Sequence, residues 1–226
     1  MSNQDHKFEI LWDKYSKQVY EGKSYVDIKS NSKEIVTLVA RLPQNIAEQL
    51  AIVSGQVSEQ ISDLYVYPPE TMHTTILFLS PYIREEKIES QNINAIKEIV
   101  RNVIYNTDSI TAHIHGLGLF PTTVFAQLHI ENVEKIVTLR HEIAQNLKKE
   151  GFISSRTVAY EDNLDWELSF SNIIRFCAPV SKEIVNIIYS NHDKNFGKIK
   201  LNSFEMVNTD KFLSKGGTTL YEKYTL

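Results

Sequence analysis

Apolar residues along the chain recur with two spacings, one helical and one alternating, and the switches between them predict its elements. Phe8, Leu11, Trp12, Tyr15 and Val19 follow the helical spacing, and Gly22 is placed to end that segment. Residues 1–33 therefore read as an amphipathic helix and a charged, Ser-rich connector over 23–33. Alternation over 34–42 predicts a strand closed by Pro43, followed by a helix over about 45–60 and a short strand at 63–67. The apolar run 72–79 predicts a further strand, ended by Pro81. Ile93, Ile96, Ile99, Val100, Val103 and Ile104 mark the next helix, and 109–115 a strand. Gly116 to Pro121 reads as a tight turn before a strand over 123–130. A helix over 132–149 stops at Gly151, and 164–176 reads as a strand followed by Pro179. A helix through Ile184, Ile187 and Ile188, one long strand near 198–207 and a closing strand at 218–224 complete the chain.

The order strand, helix, strand, proline, helix, strand thus occurs twice, over 34–115 and 123–208. Such self-similarity predicts an α+β fold of two duplicated lobes, with two antiparallel sheets facing a central cleft and helices outside. Residues 34–226 are expected to form this single bilobal domain, with the cleft as the default site.

Net charge narrows the partners. A formal charge of −4 argues against a broad basic face for duplex DNA, yet a pocket for one phosphate needs few donors. The single cysteine, Cys177, excludes an intrachain disulfide and a cysteine-based zinc cluster. With a polar start and no apolar run near 18 residues, a cytoplasmic protein with no membrane segment is expected.

The candidate chemistry begins at His73 and Thr75, two residues apart on a predicted strand and so on one face. An imidazole beside a hydroxyl is half of a phosphoester site, and equally an ordinary histidine that has found a partner. His113 and His115 repeat the spacing opposite Ile110, Ala112 and Ile114, but no third ligand is identifiable, so no metal is expected. Asp165 and Glu167 are candidate acids or a solvated strand start, and Tyr65 and Tyr67 are base platforms or rim packing.

Taken together, His73-Thr74-Thr75-Ile76, the stretch Gly116 to Pro121, and Leu213-Ser214-Lys215-Gly216-Gly217-Thr218 resemble landmarks of the 2H phosphoesterases, which include bacterial 2'-5' RNA ligases and 2',3'-cyclic nucleotide phosphodiesterases. The resemblance covers about residue 34 to the C-terminus. It implies a metal- and cofactor-independent phosphoesterase acting on 2'-5' or 2',3'-cyclic linkages, with a small nucleotide or an RNA 2',3'-cyclic phosphate end as partner. His73 becomes the acid/base and Thr75 the residue orienting the phosphate.

The second His-x-Thr/Ser element of the family is absent. Aligning the arginine that often follows it, here Arg175, puts Phe170 and Asn172 at the motif positions; aligning Ser-x-Ser puts Ser169 and Ser171 there. Neither register supplies an imidazole. Ser169, Ser171, Asn172 and Arg175 are therefore read as substrate-binding, with His115 as the preferred second proton-transfer group if it reaches the same phosphate, roughly 5–8 Å from His73. The alternative is a catalytically silent nucleotide or RNA-end binding module, and a third reading is a protein-interaction scaffold. The oligomeric state stays open.

Overall fold

The computed structural model describes residues 2–22, 35–83, 90–152, 157–162, 165–180, 182–210 and 212–226; the expected connector at 23–33 lies outside these. The chain runs α1 (Asn3–Tyr20), β1 (Ile35–Arg41), α2 (Gln44–Ser58), β2 (Leu64–Val66), β3 (His73–Phe78), α3 (Ser90–Tyr105), β4 (Ile110–Phe120), β5 (Thr123–Ile130), α4 (Val133–Lys149), α5 (Thr157–Glu161), β6 (Ser169–Phe176), α6 (Glu183–Tyr189), β7 (Asn195–Leu201), β8 (Ser203–Thr209) and β9 (Thr218–Thr225). Two sheets result, in the orders β3-β1-β8-β9 and β2-β6-β5-β4-β7, and the strand pairs are antiparallel. The α+β, two-sheet architecture expected from the repeat is present.

Local sequence accounts for the elements. Pro43 opens α2, whose Ile46, Ala47, Leu50, Val53 and Val57 are buried as one stripe. The apolar series Ile96, Val100, Val103 and Ile104 does the same for α3. Ser2 and Asp5 form a reciprocal capping box that starts α1.

Strands are exchanged between the sheets. The first repeat gives β1 and β3 to one sheet but β4 to the other; the second gives β5 and β6 to the second sheet and β8 back to the first. The orders β3-β1-β8 and β6-β5-β4 are thereby equivalent, and neither lobe can form from one repeat alone.

Two expected elements differ. The strand near 198–207 is two strands, parted at Asn202, one in each sheet. The turn at 116–121 is instead the continuation of β4, and the chain reverses at Pro121 and Thr122. Its glycines serve close approach. A Cβ on Gly116, at φ +84, would lie 2.2 Å from the His192 carbonyl oxygen, and one on Gly118 would lie 2.4 Å from the Phe125 ring.

Candidate functional site

β3 is an edge strand whose registers Arg41↔His73 and Val39↔Thr75 place His73 and Thr75 on the face of β1 that carries Val39 and Arg41. The opposite face of β1, carrying Val36, Leu38 and Ala40, is buried in the main core. Strict alternation does not persist along β3, because the register shifts after Thr75: Leu38 pairs with Leu77, leaving Ile76 as an extra residue.

β6 repeats this geometry. Asn172 pairs with Phe125 and Ile174 with Val124, so Ile173 is the extra residue there. The bulge falls one residue after Thr75 in β3 and one residue after Asn172 in β6. It also puts Asn172 and Arg175, which strict alternation would separate, on a common half-buried side of β6.

His73 is 4% exposed, so the expected open cleft is closed over it. Its surroundings are polar and aromatic. Nδ1 lies 2.8 Å from the Thr71 carbonyl oxygen, which can only accept, so the proton sits on Nδ1 and Nε2 is left as an acceptor. The same carbonyl accepts from Arg41 Nη1 at 3.0 Å, while Arg41 Nε is paired with Glu205 at 2.9 Å. The Tyr67 ring stands edge-on to His73 with centroids 6.3 Å apart, and Arg175 Nε donates to the Tyr67 hydroxyl at 2.7 Å. Burial pushes the His73 pKa down to about 4; the Thr71 bond opposes this, and the charges of Arg41 and Arg175 add to it. At neutral pH the imidazole is uncharged.

Residues 212 and 213 pack against neighbours of this site. Phe212 packs on Tyr65 with centroids 4.8 Å apart and lies 5.7 Å from the Arg175 guanidinium carbon, while Leu213 is buried against Val39 and Val207. The Asp210 carboxylate holds this segment by accepting from the Phe212 and Ser214 amides and from the Ser214 hydroxyl.

The other expected site residues lie elsewhere. Ser169 and Ser171 pair with Leu128 and Ala126 of the main core, on the side of β6 away from Asn172, and both are buried. Ser169 Oγ accepts from Arg140, a residue that sequence reasoning passed over. Arg140, on α4, also donates to the carbonyls of Thr75 and Ile76 in β3 and of Trp166 and Leu168 before β6. It clasps the two motif strands together.

His115 is not brought to His73. Its strand is separated from β6 by β5, which puts about 10 Å of sheet between β4 and β6. His115 instead faces His129, with centroids 5.9 Å apart, in a separate cleft of about 420 Å³ that Asp5, His113, Glu131 and Asn195 also line. Among the described residues no group of three or more His, Cys, Asp or Glu side chains could hold a metal ion, and no helix is long and apolar enough to cross a membrane.

Residues 25–222 match the AKAP7 2'5' RNA ligase-like domain. The chain belongs to this family, within the 2H phosphoesterases. Among solved structures, this 2H phosphoesterase is similar to TT0787 of Thermus thermophilus, with a TM-score of 0.60 and 18% identity over 85% of this chain and 97% of that one. It is also similar to LigT of E. coli, 12% identical, with TM-scores of 0.59 for the apo form and 0.56 for the complex with 3'-AMP; the latter covers 86% of this chain and 99% of LigT. These likenesses concern the fold. A curated relative, tRNA(Ile)-lysidine synthase of Shewanella oneidensis, is 22% identical over 204 residues; the match takes in 83% of this chain and spans 42% of that protein's length. The matched residues begin after α1.

Proposed function

We propose that this chain binds the phosphate of a small nucleotide or an RNA 2',3'-cyclic phosphate end between β3 and β6, and cleaves 2'-5' or 2',3'-cyclic linkages there without a metal. The observation that carries this reading is the placement of two arginines about His73: Arg175 through the Tyr67 hydroxyl, and Arg41, itself paired with Glu205, through the Thr71 carbonyl that it shares with the imidazole. Two cations beside a neutral imidazole suit an anionic ligand. Arg175 makes no ion pair with a carboxylate among the described residues, so its guanidinium can turn to a phosphate. The LigT complex with 3'-AMP supports a small nucleotide as ligand. The lone cysteine and the charge are in keeping with a cytoplasmic setting.

In this reading His73 Nε2 takes the proton of an attacking water, while Thr75, Asn172 and Arg175 hold the phosphate oxygens. On the same reading Phe170 and Asn172 are the counterparts of His73 and Thr75, an assignment that the matching bulges support, and no second imidazole takes part.

That absence, with the burial of His73, favours a second reading as a silent binding module. Calorimetry with 2'-, 3'- and 2',3'-cyclic nucleotides, alongside a chelator-treated hydrolysis assay, separates the two. Chelator-resistant hydrolysis that collapses in His73→Ala establishes the enzyme. Binding without turnover, weakened in Arg175→Ala, establishes the module, and the absence of both sinks the site.

A further inference from the structure

We propose that the Tyr67 hydroxyl is the second proton-transfer group of this site, donating to the ribose oxygen that leaves as His73 deprotonates the attacking water. The inference rests on the phosphoesterase reading above and answers what that reading lacks.

Placement comes first. Tyr67 follows β2, and its amide donates to the Ile173 carbonyl at 3.0 Å, which docks the residue against the bulge of β6. The ring then reaches the groups on both motif strands: His73 at 6.3 Å between centroids and Arg175 through the 2.7 Å bond. Two groups that serve one phosphate must stand on neighbouring sides of it, and Tyr67 and His73 are ring neighbours, 6.3 Å apart between centroids. His115 lies on its own cleft.

The hydrogen bonds have the right polarity. Arg175 can only donate, so the Tyr67 oxygen accepts and its own proton is not used in that bond. After donation the phenolate would lie against a guanidinium, its best partner among the side chains present. Burial raises the Tyr67 pKa, with Arg175 opposing, so the phenol is protonated under conditions in which His73 is neutral. One group is ready to accept and the other to give, the division of labour that an acid/base pair needs.

The step balances. His73 Nε2 takes a proton from water, and the water oxygen bonds to phosphorus. The bond from phosphorus to the ribose 2' or 3' oxygen breaks with its electron pair remaining on that oxygen, which takes the Tyr67 proton. The product is a phosphomonoester, and the proton on His73 returns to Tyr67 through solvent.

A buried tyrosine also needs partners for its hydroxyl on packing grounds alone, so the test must separate chemistry from structure. Full-length protein and its Tyr67→Phe variant are compared on a 2',3'-cyclic nucleotide, whose leaving group is an alkoxide, and on a nucleoside p-nitrophenyl phosphodiester, whose leaving group needs no acid. The variant should lose about 100-fold to 10,000-fold in kcat/KM on the cyclic substrate and less than about 10-fold on the aryl ester. Its 3'-nucleotide affinity, read by calorimetry, should stay within a few-fold of the parent, which also reports folding. Equal losses on both substrates, or no loss on the cyclic one, overturn the assignment of Tyr67 alone. If the parent turns over neither substrate, the phosphoesterase reading itself fails and takes this inference with it.

Discussion

Arg140→Met removes the clasp between the motif strands, and its cost can be worked from the bonds. The guanidinium donates to Ile76 O at 2.8 Å, Trp166 O at 2.6 Å, Leu168 O at 2.9 Å, Ser169 Oγ at 3.1 Å and Thr75 O at 3.3 Å. Burial lowers its pKa to about 10, so it is still charged at pH 7. Three short charged bonds at about 1.5–3 kcal/mol each set an upper bound, and removing a buried cation relieves its desolvation cost. A net loss of about 3–5 kcal/mol remains, a large share of the roughly 5–15 kcal/mol that holds a domain folded. Urea unfolding should show the midpoint falling by about 1–2 M at an unchanged slope. Arg140→Lys, whose ammonium cannot span both strands, should keep about half of the stability at stake. A loss below about 1 kcal/mol for the Met variant would mean that these carbonyls are satisfied in other ways and that the clasp does not hold the strands.

His73 has a folded pKa of about 4 against 6.5 for the free side chain, so the unfolded chain binds more protons between these values and stability falls as pH drops through that window. The fall attributable to His73 is about 3 kcal/mol, and His73→Gln should flatten the stability profile between pH 6.5 and 4; a profile with the same slope in the variant would refute the shift. Gly116→Ala meets a backbone carbonyl at positive φ and should cost more than Gly118→Ala, which meets the Phe125 ring; by urea titration the costs are expected at about 3 and about 1–3 kcal/mol, and the reverse order would count against the packing described.

Much of this architecture is legible in the sequence because its helices and strands carry strong periodicity. Ile96, Val100 and Val103 announce α3, and the spacing of His73 and Thr75 announces their shared face. The failures come from pairing over long range. Asn202 divides two strands without a proline or glycine to mark the break, because the neighbouring strands belong to different sheets. The glycines of β4 read as a turn, although they admit the His192 carbonyl and the Phe125 ring. At the site, Asn172 and Arg175 share a side only through the bulge at Ile173, which local alternation cannot reveal. Arg41, Tyr67 and Arg140 reach His73 and its strand from three separate segments, so no spacing along the chain could have grouped them.

The position in β6 that corresponds to His73 is set by the two bulges. With the bulges aligned, that position is Phe170, whose ring packs on Phe120 at 5.0 Å and Phe125 at 5.2 Å between centroids. This aromatic group lies beneath α1, where Phe8 is 2% exposed and contacts the Phe125 ring at 6.0 Å, and Leu11 packs beside it. Gln4 fastens the helix further by bonding both the amide and the carbonyl of Ile130. A histidine in place of Phe170 would bring a polar ring into this aromatic group, where burial disfavours its charged form. α1 and Phe170 thus belong to one packing arrangement, and α1 lies before the matched residues 25–222. On the proposed reading, proton chemistry for the second half of the site comes from Tyr67, which follows β2 at the edge of β6 and whose hydroxyl meets Arg175.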